Sequence, residues 1–130
     1  MNFDLKKLKR KIKLFLSHNL VITNIGSTNN KKQIKAALAH NTEQFFSNSI
    51  NVYNHANTIH STLLLTGLIR FGACIDCYHH VNKKSPNNKY QLIIGLGNCW
   101  RNLVRLNPNA IKVLWLVEPS PEILNKNEQK

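Results

Sequence analysis

The stretch Tyr90-Gln-Leu-Ile-Ile-Gly-Leu-Gly-Asn-Cys-Trp-Arg-Asn-Leu-Val-Arg-Leu-Asn-Pro-Asn-Ala-Ile-Lys-Val-Leu-Trp-Leu-Val117 decides the fold. Its opening, Tyr90 to Ile94, is a short apolar run suited to a buried strand, and Gly95 and Gly97 break it. Trp100 to Leu106 then reads as a short helix, closed by Asn107 and Pro108. Ile111 to Val117 is a second buried strand, ended by Pro119 and Pro121. Strand, helix and strand in so short a space point to the α/β class.

Upstream, Asn82 to Asn88 holds two lysines and Pro86 and reads as a surface loop. From Ser61 to about His80 the apolar positions Leu64, Leu68, Phe71 and Ile75 form one helical stripe, with Ser61 or Thr62 as its cap. The longest apolar run, Leu63 to Ile75, is interrupted by Arg70 and falls short of the roughly 20 residues that a bilayer crossing requires. Ile50 to Ile59 is polar and irregular.

Ile34, Ala36 and Leu38 alternate with Gln33, Lys35 and Ala37, and His40, Asn41 and Thr42 turn the chain into Phe45 and Phe46. A β-hairpin fits, although the Ala-rich 31–39 segment equally suits a helix. Leu20 to Ile25 reads as a strand ending in the turn Gly26 to Asn30. Residues 3 to 16 place Phe3, Leu5, Leu8, Ile12 and Phe15 at helical spacing with lysines on the other faces. The expected architecture is therefore a single α/β domain over 19–125: a mixed β-sheet, an N-terminal hairpin and two covering helices. A basic amphipathic extension precedes it over 1–18, and a tail follows over 126–130.

Eighteen Lys and Arg against six Asp and Glu give a net charge of +12 in 130 residues. Self-repulsion on that scale is tolerated best when a polyanion neutralises it, so nucleic acid leads the partner classes and an anionic membrane follows. Six cations fall between Met1 and Leu16, and others recur along the chain at Lys31, Lys32, Lys35, Lys83, Lys84, Lys89, Arg101, Arg105 and Lys112. This spread suits RNA that wraps a folded surface. Nineteen Asn and 14 Lys beside only four Arg reflect an AT-rich genome, either an organelle's or a bacterium's. Three cysteines, with no secretory signal ahead of them, argue for a reducing compartment and an intracellular protein.

Several motifs, taken in order, are similar to the small-subunit ribosomal protein eleven family. Leu92-Ile-Ile-Gly-Leu-Gly-Asn98, Arg101, Ile111 to Val117 and Glu118-Pro-Ser-Pro121 resemble the family's strand, glycine loop, short helix, strand and Asp-x-Thr-Pro. Ser27-Thr-Asn-Asn30 resembles its Ser-Phe-Asn-Asn turn, Asn41 with Phe45-Phe-Ser-Asn-Ser49 its Gly-Asn turn and second hairpin strand, and Ser61-Thr62 its helix entrance. The likeness covers roughly residues 20 to 125. It departs at Ile50 to Asn57, where the family has a Gly- and Arg-rich segment, and after Asn125, where its Arg-rich tail is missing. The resemblance implies a ribonuclease-H-like topology and a structural protein of the small ribosomal subunit, mitochondrial or from the cytoplasm of an AT-rich bacterium. Its partners would be central-domain rRNA at the platform, neighbouring small-subunit proteins and nearby mRNA, with no membrane, cofactor or catalysis.

The candidate RNA contacts follow from residue chemistry. Gly95, Gly97 and Asn98 offer backbone amides at a helix N-terminus, with Arg101 and Arg105 one and two turns on; the plain alternative is a structural turn. A dinucleotide site is disfavoured because the third glycine of that fingerprint is absent. Asn29, Asn30, Lys31 and Lys32 place amides and ammonium groups on a turn, Lys83 and Lys84 on a loop, and His55 in the irregular segment before the long helix. Cys74, Cys77, His79 and His80 have spacing usable by zinc, although cysteines beside Leu68 and Phe71 on one helix face read more simply as core. His55 and His60 are the pair for a competing reading as a small basic ribonuclease of the toxin type. Trp100, Trp115, Phe45 and Phe46 could stack on bases, with core burial the usual fate of such tryptophans. The basic N-terminal helix keeps a further reading as a membrane-surface adaptor.

Overall fold

The smallest side chains of the chain lie at its centre. In the computed structural model, strand β2 (Ile34–His40) carries Ala36, Ala37, Leu38 and Ala39, none more than 1 % exposed. The structure describes residues 9, 11–12, 15–16, 18–29, 32–42, 45, 56–84 and 88–116. The other elements are β1 (Val21–Ile25), α1 (Ala56–Arg70), β3 (Ala73–His79), β4 (Leu92–Gly95), α2 (Gly97–Leu106) and β5 (Ile111–Leu114). They form a single α/β domain around one five-stranded mixed sheet, with strand order β1-β3-β2-β4-β5. β3, β2, β4 and β5 run parallel, and β1 is antiparallel to β3.

Alternation along β2 sends Ala36 and Leu38 to one face and Ala37 and Ala39 to the other. On the first face they meet Ile75, Cys77 and Ile94 under Leu64, Leu65 and Leu68 of α1. On the second they meet Tyr78, Tyr90 and Ile93 under Cys99, Trp100, Leu103 and Val104 of α2. The units β2–α1–β3 and β4–α2–β5 leave the centre in opposite directions, so right-handed crossovers put their helices on opposite faces. The result is a three-layer α/β/α sandwich. Residues 9, 11–12, 15–16 and 18–19 are helical, in keeping with the basic N-terminal helix expected from the sequence.

Four expectations are corrected. No hairpin is built on β2, because both of its edges are taken by parallel neighbours, Ile34 pairing with Ala73 and Ala36 with Leu92. Phe45 instead closes a tight turn by donating its N–H to the Thr42 carbonyl at 3.0 Å, and Phe46 to Ser49 lie outside the described residues. The long helix spans Ala56–Arg70 and not 61–80; Gly72, at φ 79°, ends the turn after it, and the chain continues as β3. Every residue of β3 is buried, so no alternation survives to separate a strand from a buried helix. Cys74 and Cys77 therefore share no helix face: three apart on a strand, they point to opposite sides of the sheet. Finally, all four residues of β5 are exposed, since α2 lies over β2 and β4 and leaves this edge strand bare.

β1 is fastened by a buried carboxylate. Asn24, at φ 58°, sits in a bulge of the β1–β3 pairing, and its N–H donates to Asp76 Oδ1 at 2.8 Å. Asp76 Oδ2 accepts from Asn88 Nδ2 at 3.0 Å and from the Tyr90 hydroxyl at 2.7 Å. The Tyr78 and Tyr90 hydroxyls lie 2.5 Å apart. Burial pushes the Tyr78 phenol up to about 12 and raises that of Tyr90 as well.

Candidate nucleic-acid interface

Helix α2 reads GNCWRNLVRL, and its period divides it cleanly. Cys99 and Leu103 are buried against the sheet, whereas Asn98, Arg101 and Arg105 are exposed at spacings of three and four and so share the outer face. No acidic residue interrupts that face. The helix ends beside two further cations: Lys89 Nζ donates to the Leu106 carbonyl at 3.2 Å, and Lys112 Nζ to the Pro108 carbonyl at 2.6 Å. Positive charge there complements the C-terminal carbonyls. Arg101, Arg105, Lys89 and Lys112 thus follow one another from the carboxyl end of the parallel strands to their amino end. A shallow cavity of about 330 Å³, lined by Lys89, Tyr90, Asn107, Pro108, Asn109 and Ala110, opens where the row stops.

The glycines have a packing role. Gly95, buried at φ 146°, pairs with Ala39, and a Cβ there would lie 2.0 Å from the Ala39 carbonyl oxygen. Gly97, at φ 78°, leaves room for the His80 carbonyl, which a Cβ would meet at 2.8 Å. Two amides of the junction are occupied: Leu96 N–H donates to Ala39 O at 2.9 Å and Cys99 N–H to His80 O at 3.0 Å. The Gly95-Leu-Gly97 loop therefore clamps α2 to the end of the sheet and sets the direction of the Arg101 and Arg105 face.

The remaining predicted contacts scatter. Asn29 and Lys32 are exposed on the turn before β2, at the amino end of the parallel strands. Gln33 closes that turn, accepting from Thr28 N–H at 2.8 Å and donating to Gly26 O at 2.9 Å. Lys83 and Lys84 are exposed after β3, at the opposite end. Asn30, Lys31 and His55 lie outside the described residues. The structure brings together Asn98, Arg101 and Arg105, and adds Lys89 and Lys112, whose nearness to α2 no linear spacing announces.

The zinc-type cluster separates. The buried Cys77 and Cys99 thiols are pushed up to about 12, chiefly by burial, which keeps them protonated and apolar in the core. Among the described residues, no three His, Cys, Asp or Glu side chains stand in an arrangement that would hold a metal ion. The histidines gather instead among themselves. His40 pairs with His79 across β2 and β3, the His18 ring stacks on His79 at 4.1 Å, and His80 tilts against His79 at 4.3 Å. Burial, then the neighbouring His80 and His60, hold His40 down to about 4. Burial, then His80, His18 and His40, hold His79 down to about 3. Both ring nitrogens of His40, Thr42 Oγ1 and Asn82 Nδ2 are buried with no hydrogen-bond partner among the described residues. This assembly escaped the linear reading, although a histidine directly after each of two buried stretches, the apolar Ala36 to Ala39 and Ala73 to Tyr78 with its single Asp76, is its trace in the sequence.

Trp100 and Trp115 are half-buried and pack against opposite faces of the sheet, as expected of core tryptophans. No family model, curated protein or solved structure matches the chain.

Proposed function

We propose that this chain is a non-catalytic RNA-binding protein that grips phosphates with the outer face of α2. The observation that carries the reading is the exposed row of Asn98, Arg101 and Arg105, continued by Lys89 and Lys112, with no acidic residue in the helix and a net charge of +12 behind it. Arginines offer planar, multi-donor contacts to phosphate, and a rigid helix holds their spacing. Their stems emerge from a helix fixed by Cys99 and Leu103, so the backbone that spaces the cations is set before RNA arrives and only their side chains are ordered on binding.

The RNA we assign is that of the small ribosomal subunit, at the platform, with neighbouring ribosomal proteins and mRNA close by. Support comes from the C-terminal third, where β4, the glycine loop, α2 and β5 follow in the order of the ribosomal protein eleven family. The hairpin part of that likeness lends none, because β2 pairs differently. The reading therefore rests on residues 92 to 114.

Arg101→Ala combined with Arg105→Ala tests it. Both side chains are exposed, so the fold should stand. Each lost phosphate contact removes about 0.7 to 0.9 from the log–log slope of affinity against salt, so the pair should flatten it by about 1.4 to 1.8. An unchanged slope in a filter-binding titration rules out α2 as the phosphate face. The particle is tested in a native lysate on sucrose gradients: co-migration with the small subunit through about 0.5 M salt supports the assignment, since purely electrostatic binding is heavily screened there.

A further inference from the structure

Three described apolar residues of the N-terminal helix face solvent. Ile12 is 50 % exposed, Phe15 67 % and Leu16 51 %, and none of the three belongs to either core cluster. At about 100° per residue they share an arc of about 100°. Lys9 and Lys11, both exposed, sit just beyond its two borders. A contact with the domain is made from outside the arc, where the His18 ring stacks on His79. The last turn is closed by Leu20 N–H to Leu16 O at 2.9 Å and by Asn19 Nδ2 to Phe15 O at 2.8 Å. Among the described residues, the helix thus meets the sheet through the His18 imidazole and turns Ile12, Phe15 and Leu16 outward.

We infer that this face docks on an anionic lipid bilayer. RNA phosphates would reward Lys9 and Lys11 but leave Ile12, Phe15 and Leu16 in water. A bilayer interface takes both: the apolar arc enters the acyl boundary while the flanking ammonium groups remain among the anionic headgroups. The sequence concentrates charge for this purpose, with six cations and one acid between Met1 and Leu16. The face is separate from α2, so the inference does not rest on the RNA reading.

Vesicle flotation of the full chain tests it, using neutral phosphatidylcholine vesicles and phosphatidylcholine vesicles enriched in anionic phosphatidylglycerol. The chain should float with the anionic vesicles and stay behind with the neutral ones. The triple variant Ile12→Ser, Phe15→Ser, Leu16→Ser keeps the net charge and should lower the anionic partition roughly tenfold or more while leaving RNA affinity unchanged. Undiminished flotation of the variant would mean that the +12 surface alone adheres to the lipid, and would overturn the proposal. So would failure of the wild-type chain to float, or a parallel fall in RNA affinity that assigns the face to RNA.

Discussion

At the residue scale, Gly95 shows how one residue in a sequence admits two physical readings. Two glycines flanking one leucine before a helix suggest a loop open to phosphate, yet Gly95 is required by the approach of the Ala39 carbonyl and Gly97 by that of His80. Composition cannot distinguish a glycine that admits a ligand from one that admits a neighbouring strand. Gly95→Ala should therefore destabilise the domain by about 3 kcal/mol or more, because it combines a clash at 2.0 Å with a positive φ. Gly67→Ala is the contrast: nothing lies within 4 Å of a Cβ in α1, and that variant should gain about 0.5 to 1 kcal/mol. Urea unfolding of the two variants decides the point, and equal midpoints would contradict it. Arg101 and Arg105 were legible for the opposite reason. Once α2 is a helix, spacing alone puts them opposite Cys99 and Leu103.

At the element scale, the strands that sequence found were those with a clear boundary, and the one it missed has none. β4 is bounded by Gly95, and β1 runs into Gly26. β3 follows α1 after only Phe71 and Gly72 and is buried throughout, so its apolar run merges with that of the helix. The attachment of β1 was not legible either, because it depends on pairing with the distant β3 and on one carboxylate reached across 52 residues. Asp76→Ala would strip Asn24, Asn88 and Tyr90 of a shared acceptor, at a cost of about 2 to 4 kcal/mol. The loss should be local first. Amide exchange at Val21 to Ile25 should accelerate ahead of β2 and β4, and uniform acceleration across the sheet would show that Asp76 does not specifically hold the edge strand.

At the scale of the whole molecule, the class was legible and the strand order was not, since order is set by pairings between distant residues that no local period records. The histidine assembly belongs to this scale too, because it forms only where the ends of β2 and β3 meet. His40 and His79 are held near 4 and 3, against an ordinary value of 6.5 in the unfolded chain. The unfolded state thus binds more protons across that interval, and stability rises with pH through it. The contribution is complete above pH 6.5 and is lost as the pH falls toward 4. Between about pH 7.5 and 5 the loss should be on the order of 2 kcal/mol for each histidine. Urea midpoints that hold steady or rise on acidification would contradict this. The parallel pairing of β2 has a further consequence, in time. Ile34 has no partner until Ala73 has been made, and the other edge of its strand stays open until Leu92 arrives to pair with Ala36. At synthesis rates of about 5 to 20 residues per second, the central strand of the molecule spends roughly 2 to 8 s with both edges bare. A chain so built is slow to commit to its fold, and β1 and β2, which both wait for β3, are the segments that nascent-chain chaperones have longest to hold.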